Sequence, residues 1–151
     1  MIANSDIIAA IEAAGCKGVL VVNATELETC IHREMPDDGR DLVVDFVDTN
    51  GSFRTDPNTG RVFETRRMLL IFYSRNDFEA SRDAITEGGS HDGQVTAHKD
   101  SAAAVIAALN WSGLFAMVTS WEYSVHPFET TDVANGMWVT FELTDTVGTC
   151  A

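Results

Sequence analysis

The feature that most constrains this chain is a strict alternation of apolar and polar residues between positions 137 and 144. Met137, Val139, Phe141 and Leu143 fall on one side, whereas Trp138, Thr140, Glu142 and Thr144 fall on the other. A period of two without a miss is typical of a β-strand with one buried face. An earlier alternating stretch, Ala116–Val125, follows an Ala-rich helical pattern, Ser101–Asn110. The sequence therefore predicts a helix followed by two antiparallel strands.

The N-terminal part of the chain predicts one more helix. Its apolar face contains Ile7 and Ile11, Asn4 or Ser5 can cap its first turn, and Gly15 can end it. Four further segments are assigned to strands. The least regular of them is Thr25–Glu34, in which Leu27, Thr29 and Ile31 alternate as in a strand, although its three glutamates also suit a helix. The four segments are Gly18–Val22, Thr25–Glu34, Leu42–Asp48 and Arg61–Ser74.

The last of these strands has two different parts. Met68–Tyr73 is apolar on both faces, which indicates a central strand that is covered on both sides. Asp56–Gly60 has the composition of a tight turn that ends in a left-handed glycine, at the tip of a hairpin. Polar residues near this tip predict that the hairpin extends beyond the core. The expected fold is a single α+β domain spanning residues 1–151, with a mostly antiparallel or mixed sheet, two helices and a long projecting β-hairpin.

The charge balance is strongly acidic. Ten basic and 23 acidic residues give a net charge of −13. Residues 1–75 hold 12 acidic and 8 basic residues, net −4, whereas residues 76–151 hold 11 and 2, net −9. No continuous basic face can form to displace counterions from a phosphate backbone, so we expect no direct nucleic-acid binding. The acidic half can serve solubility alone, or it can meet a basic partner.

Cysteine spacing and apolar runs give expectations about the compartment. Cys16, Cys30 and Cys150 match no metal or redox motif, so free thiols in a reducing cytoplasm are expected. The first residues have no basic segment followed by an apolar run, so we expect no secretory signal. No apolar stretch approaches the roughly 20 residues that span a bilayer, so no membrane association is expected.

No segment predicts a chemistry. Ser90, His91 and Asp92 are adjacent within the Gly-rich stretch Glu87–Gly93, which reads as a flexible loop. Adjacent side chains in such a loop cannot converge as a nucleophile, a base and an orienting carboxylate must. His91 and His98 with Asp92 could in principle hold a metal, but a structural site usually needs four well-spaced ligands, and His32 and His126 lie in unrelated segments. We therefore predict no catalytic residue, no metal and no cofactor.

Two tryptophans on the predicted final strands differ in their surroundings. Trp121 shares a strand face with Met117, Tyr123 and Val125, which favours packing in the core. Trp138 lies instead on the polar face of its strand. A large aromatic side chain there indicates either a second covering layer or a protein interface.

The order of these elements resembles that of the tail terminator, or tail completion, proteins of long-tailed bacteriophages. The matching pieces are Ile7–Ala14, the Leu42–Ser74 hairpin, Ser101–Asn110, and the paired strands Ala116–Val125 and Met137–Thr144. The closing segment Asn135–Leu143 is similar to the final strand of those proteins, and Thr144–Cys150 is similar to endings of prophage tail proteins. The segments Thr25–Glu34 and Thr86–Ala97 depart from the pattern.

This resemblance implies a structural virion protein without catalytic residues. Such proteins form a ring, usually a hexamer, that caps the head-proximal end of the tail tube. The implied partners are further copies of the chain, the tail tube protein and the head–tail connector protein. The implied location is the tail or neck of the virion, after assembly in the host cytoplasm. The alternatives are an acidic inhibitor that mimics DNA, a different neck protein, and a small-ligand enzyme.

A ring of acidic subunits needs contacts that overcome their mutual repulsion. The predicted hairpin holds four of the ten basic residues, which could dock against the acidic C-terminal half of a neighbour while Trp138 is buried. The alternative is that these arginines only keep an exposed hairpin soluble. The predicted subunit interface therefore consists of Arg54, Arg61, Arg66, Arg67, Trp138, Glu122, Glu129 and Glu142.

Overall fold

The computed structural model describes residues 1–47, 50–75, 90–126, 134–146 and 148. These ranges contain three helices and six strands, which form one α+β unit as expected. In chain order the elements are α1 (Asn4–Ala13), β1 (Lys17–Val21), α2 (Ala24–Glu34), β2 (Leu42–Phe46), β3 (Gly51–Thr55), β4 (Val62–Arg75), α3 (Ser90–Trp111), β5 (Trp121–His126) and β6 (Ala134–Thr144).

The six strands form one mixed sheet in the order β1-β2-β4-β6-β5, and β3 pairs with the first part of β4. Strands β1 and β2 are parallel because α2 carries the chain back between them, and the remaining pairs are antiparallel. The central position of β4 confirms the prediction from its two apolar faces.

Helices cover both faces of the sheet. On the first face, α1 and α3 pack against Val43, Leu70 and Phe72. On the second face, α2 packs against Leu42 and Ile71, together with neighbouring side chains of β1, β2 and β4. Within the described ranges, no helix is both long enough and apolar enough to cross a membrane.

The assignment of Thr25–Glu34 to a strand is wrong, because Ala24–Glu34 forms α2. Its first turn is capped by Asn23, whose side-chain Oδ1 accepts a hydrogen bond from the backbone N–H of Glu26 at 3.0 Å. Leu27, Cys30 and Ile31 are buried on the side of the helix that faces the sheet. The described chain therefore has three helices rather than the two that were predicted.

The boundaries of two other predicted elements also differ. Helix α3 begins at Ser90, so the last residues of the predicted loop Glu87–Gly93 are helical. Strand β5 begins only at Trp121, because the side chain of Asn110 bonds the backbone N–H and C=O of Val118 at 2.7 and 3.3 Å. These bonds hold the preceding segment away from strand pairing. Residues 77–84, where the sequence also indicates one or two helical turns, lie outside the described residues.

Helix α1 confirms its predicted end but not its predicted cap. Gly15 follows the helix with a φ of 85°, the left-handed conformation that glycine adopts at low cost. The N-cap is Ala3, which makes no side-chain capping bond. The side chain of Asn4 instead accepts a hydrogen bond from the guanidinium of Arg66.

The hairpin tip has the predicted turn, but the long projecting arm is not confirmed. Gly60 has a φ of 71°, and its N–H donates to the carbonyl of Asp56 at 2.8 Å. Strand β3 pairs with only five residues of β4, and β6 already pairs with β4 from Thr65 onward. The backbone N–H of Glu64 also donates to Asp145 Oδ1 at 3.0 Å. The segment after β6 therefore holds the hairpin against the body of the domain.

We expect Asn23→Ala to lower the free energy of unfolding by about 1 kcal/mol, because it removes the side-chain acceptor that caps α2. Urea denaturation followed by circular dichroism measures this loss. Ser5→Ala is the matched control, since α1 has no side-chain cap, and it should change stability by less than about 0.5 kcal/mol. Equal losses in the two variants would contradict the assigned cap.

Candidate functional site

Part of the second face of the sheet is not covered by α2. Cross-strand partners share a face, and the register pairs Arg67 with Glu142, Leu69 with Thr140, and Glu122 with Thr140. All of these side chains except Leu69 are exposed. We call this surface the open face; its residues are Arg54, Arg67, Glu122, Trp138, Thr140 and Glu142.

The open face is concave and carries both signs of charge. A shallow cleft of about 610 Å³ runs across it, and its lining includes Arg67, Glu122, Thr140 and Glu142. Arg67 and Glu142 are direct neighbours on adjacent strands. An acidic and a basic residue thus occupy opposite positions on adjacent strands of one subunit, and Glu122 supplies a second carboxylate in the lining of the cleft.

The structure places five of the predicted interface residues on the second face of the sheet, and three of them, Arg67, Glu122 and Glu142, line one cleft. The five residues are Arg54, Arg67, Glu122, Trp138 and Glu142. The guanidinium carbon of Arg54 lies 5.0 Å from the centre of the Phe63 ring, within the range of a cation–π contact. Arg61 is half-buried just before β4, and Glu129 lies outside the described residues.

Arg66 does not join this group, because its side chain points to the first face of the sheet. Its guanidinium bonds the side chain of Asn4 and donates to the carbonyl of Ile2 at 3.1 Å. It also lies 3.5 Å from a carboxylate oxygen of Glu64. Arg66 therefore joins the hairpin to α1 within the subunit and does not present its charge to a neighbour.

Trp138 is half-buried against the apolar cluster beneath α2. Its indole ring stacks on the ring of His126, with 4.6 Å between centroids. The indole Nε1 is buried and has no hydrogen-bond partner in the described part of the chain. A second covering layer thus accounts for one side of Trp138, and the stacked side borders the open face.

The prediction for Trp121 is confirmed only in part. Trp121 and Val125 pack against the core on the first face. Tyr123 and Met117 do not, since they are 51% and 72% exposed. The chain is irregular around Met117, so strand alternation does not apply there.

A second candidate site lies on the first face of the sheet and joins three separate elements. His98 Nδ1 is 2.9 Å from Asp41 Oδ2, and His98 Nε2 is 3.2 Å from Ser74 Oγ. Because the carboxylate accepts, Nδ1 carries the proton, and in the neutral ring Nε2 accepts from the Ser74 hydroxyl. We call this chain of hydrogen bonds the Asp41–His98–Ser74 relay.

The backbone explains how these three side chains meet. Leu42 lies opposite Tyr73 in the antiparallel pairing of β2 with β4, so continuing the register by one residue places Asp41 opposite Ser74. His98 enters from α3, one turn before Ala102 on the buried stripe of that helix. Its imidazole is fully buried, Asp41 is 7% exposed, and Ser74 is half-buried.

A cleft of about 530 Å³ opens beside the relay. Both Asp41 and Ser74 line it, as do Gly93, Gln94 and Ala97 of α3. The opposite wall is formed by the segment before β2, which contributes Pro36, Asp37, Gly39 and Arg40. Ser74 therefore lies between the buried imidazole and the cleft.

Cys16 lies beside the relay. Burial raises the pKa of its thiol, and the charge of Asp41 raises it further, whereas a hydrogen bond with Ser101 opposes the shift. A thiol with a raised pKa remains protonated at neutral pH and is a poor nucleophile. The hydroxyl of Ser74, by contrast, is hydrogen-bonded to His98 Nε2 at the edge of the cleft.

Sequence reasoning missed the relay because its members lie far apart. Asp41 and His98 are 57 residues apart, and Ser74 and His98 are 24 apart. The signal that could have indicated them is a polar residue on an apolar pattern. His98 falls on the stripe that continues through Ala102, Val105 and Leu109, all fully buried.

Comparisons with known proteins add no family to these observations: no family model matches the chain, and no curated protein matches it significantly.

In the described ranges, no group of three or more His, Cys, Asp or Glu side chains is placed to hold a metal ion.

Asp45 is a buried carboxyl group on the first face, close to Arg66. Burial raises its pKa to about 6, and the positive charge of Arg66 limits the rise. One carboxyl oxygen has no hydrogen-bond partner among the described residues. The protonated form therefore suits the folded state better than the carboxylate does.

We expect the stability that Asp45 contributes to be complete below about pH 4 and to be lost as the pH rises through about 6. A difference of two pKa units corresponds to about 3 kcal/mol. Asp45→Asn should therefore raise the free energy of unfolding relative to the original chain at pH 8, and raise it less at pH 4. Urea denaturation at both pH values measures the difference.

Asp38→Asn is the control for this pH dependence. Asp38 is exposed, and hydrogen bonds from Arg40 lower its pKa. Its stabilising effect is thus present at neutral pH and lost in acid, which is the opposite sign. An Asp45→Asn effect that is the same at pH 4 and pH 8 would show that Asp45 ionises normally in the folded state.

Proposed function

We propose that this chain is a structural subunit of a bacteriophage tail or neck, which assembles into a ring that caps the head-proximal end of the tail tube. The order of elements supports this proposal, since an N-terminal helix, a hairpin, a second long helix and a closing pair of strands are all present. Helix α2 forms from the segment that was predicted to be an additional strand and that does not match the tail terminator pattern. In this role the tail tube protein and the head–tail connector protein are its neighbours.

The observation that carries the proposal is the open face. It exposes Arg67, Glu122 and Glu142 around one cleft, with Trp138 at its border. Neither the arginine nor the carboxylates are buried in the isolated subunit, so both can make further contacts. A mixed-charge surface of this kind gives register and partner choice in an interface, whereas apolar burial supplies most of the affinity.

An apolar surface is also available near the end of α3. Trp111 is 89% exposed and Met117 is 72% exposed. The bonds from Asn110 to Val118 hold the segment between them in place. Large exposed apolar side chains on an ordered segment favour a protein interface, in which tryptophan often contributes much of the binding energy.

The open face does not favour the DNA-mimic alternative. A mimic needs carboxylates spread along a surface without opposing charge, whereas Arg67 lines one cleft together with Glu122 and Glu142 here. A ring is also consistent with the chain's acidity. Copies with a charge of −13 repel one another unless a basic patch of one copy meets an acidic patch of the next. Heterologous contacts, which join two different surfaces, allow this arrangement.

Native mass spectrometry and light scattering test the proposal directly. We expect a closed oligomer, most simply a hexamer, at micromolar concentration and physiological salt. Arg67→Glu should weaken assembly by about tenfold or more, because it turns the arginine of the cleft on the open face into a third carboxylate beside Glu122 and Glu142. A chain that is monomeric at high micromolar concentration and low salt, and absent from virions, would overturn the proposal.

Two control variants separate assembly from folding. Arg33→Glu changes the net charge equally on the exposed surface of α2, and it should leave the oligomer intact. The exchange Arg67→Glu with Glu142→Arg restores the unlike pair within each subunit. If the exchange restores folding but not assembly, Arg67 contacts a different carboxylate in the neighbour, such as Glu122. An Arg67→Glu chain that assembles normally would remove the open face from the interface.

A further inference from the structure

We propose that Ser74, His98 and Asp41 form a serine acyl-transfer site that hydrolyses small neutral carboxylic esters in the adjoining cleft. The inference is independent of ring formation, because the relay lies on the first face of the sheet and the open face lies on the second. It assigns an activity to the chain in addition to a structural role.

The geometry meets the requirements for a nucleophile, a base and an orienting group. Ser74 Oγ lies 3.2 Å from His98 Nε2, and His98 Nδ1 lies 2.9 Å from Asp41 Oδ2. These are hydrogen-bond distances in the order that serine hydrolases use, with the carboxylate on one ring nitrogen and the hydroxyl on the other. The three side chains come from the start of β2, the end of β4 and the middle of α3.

The sheet and the helix hold these groups rigidly. Asp41 and Ser74 are neighbours at adjacent strand positions, and the carbonyl of Asp41 accepts from the N–H of Lys17 at 3.0 Å. His98 is fully buried between them, so its ring has no freedom to turn away. Regular elements thus hold the three side chains in position before a substrate binds. The adjacent residues Ser90–Asp92 could not do this, because neighbouring side chains cannot converge in the same way.

The hydroxyl of Ser74 lies at the boundary between the buried imidazole and the cleft. The imidazole is shielded from water, whereas Ser74 is half-buried and lines the cleft of about 530 Å³. A substrate in the cleft would thus reach Ser74 Oγ without displacing the base. Gly93, in the first turn of α3, also lines the cleft.

The reaction balances without a cofactor. As Ser74 Oγ bonds the ester carbonyl carbon, its proton moves to His98 Nε2 and the carbonyl oxygen becomes an oxyanion. Collapse of this intermediate breaks the bond to the alkoxy oxygen, which leaves with the proton from Nε2 as an alcohol. A water molecule then repeats the sequence on the acyl–serine, giving a carboxylic acid and regenerating the hydroxyl. Asp41 keeps Nδ1 protonated and stabilises the imidazolium that forms.

The cleft favours neutral substrates with a small acyl group. Its wall consists largely of small side chains, including Pro36, Gly39, Gly93 and Ala97. Asp37 also lies there, and Arg40 is engaged with Asp38 at 2.7 Å. The negative field of a chain with a charge of −13 further disfavours anionic esters.

A fluorophosphonate reagent tests the nucleophile directly, since a serine of this type attacks phosphorus and expels fluoride. We expect one adduct per chain, located on Ser74 by peptide mass mapping, and slow hydrolysis of p-nitrophenyl acetate. Ser74→Ala should abolish both. His98→Gln and Asp41→Asn should slow labelling by about 10²–10⁴-fold.

Ser124→Ala is the matched control, because Ser124 Oγ lies 3.1 Å from His126 Nε2 in an exposed serine–histidine pair on β5. Labelling and ester hydrolysis should be unchanged in that variant. Two results would overturn the proposal: a folded original chain that forms no adduct on Ser74, or a Ser74→Ala chain that hydrolyses the ester as fast as Ser124→Ala. Either result would mean that the relay only joins α3 to the sheet.

Substitution of the buried members can prevent folding, so a second variant keeps the test decisive. Ser74→Cys retains the shape of the side chain and presents a thiol to His98 Nε2. Iodoacetamide should alkylate this thiol well before Cys16 and Cys30, which are buried and have raised thiol pKa values. Alkylation at position 74 that is no faster than at these buried thiols would contradict activation by His98.

Discussion

The burial of β4 on both of its faces is the constraint on which the rest of the structure depends. Met68, Leu70 and Phe72 need cover on one side, and Ile71 and Tyr73 need it on the other. One layer of helices cannot provide both, so α1 and α3 pack on the first face and α2 packs on the second. The βαβ unit formed by β1, α2 and β2 is the shortest connection that places a helix there and returns the chain to the sheet.

The same constraint explains why the two candidate sites lie on either side of the apolar segment Met68–Tyr73 of β4. That segment is covered on both faces, whereas polar side chains flank it. Just before it, Arg67 remains on the second face, where α2 does not reach. Just after it, Ser74 turns toward the first face, beneath α3. A buried histidine there must have both ring nitrogens satisfied, and Asp41 and Ser74 satisfy them.

Sequence patterns predicted the elements whose side chains follow a single period. The alternation from Met137 to Thr144 gives β6, and the doubly apolar Met68–Tyr73 gives the centre of β4. Helix α2 was missed because Leu27 and Ile31 are four residues apart, a spacing that suits both a helix and a strand. Two features distinguish the helix from a strand. Cys30 is buried on the same side as Leu27 and Ile31, and the side chain of Asn23 accepts the capping hydrogen bond.

The candidate sites could be predicted less well, because they depend on which face a residue occupies and on contacts between distant segments. Arg66 and Arg67 are adjacent and chemically identical, yet the strand pleat sends one to the interior and the other to the open face. The hairpin is short because Asp145 and β6 pair alongside it, which no local pattern in the hairpin reveals. The Asp41–His98–Ser74 relay likewise requires the register of β2 with β4.

The positions of the two sites on one strand decide whether they can act together. Arg67 and Ser74 are seven residues apart on β4, which corresponds to about 23 Å along an extended strand. They also point to opposite faces of the sheet. A substitution at Arg67 would therefore leave the residues around the cleft beside Ser74 unchanged within the subunit. The two proposals rest on separate residues, and each can be tested without disturbing the other.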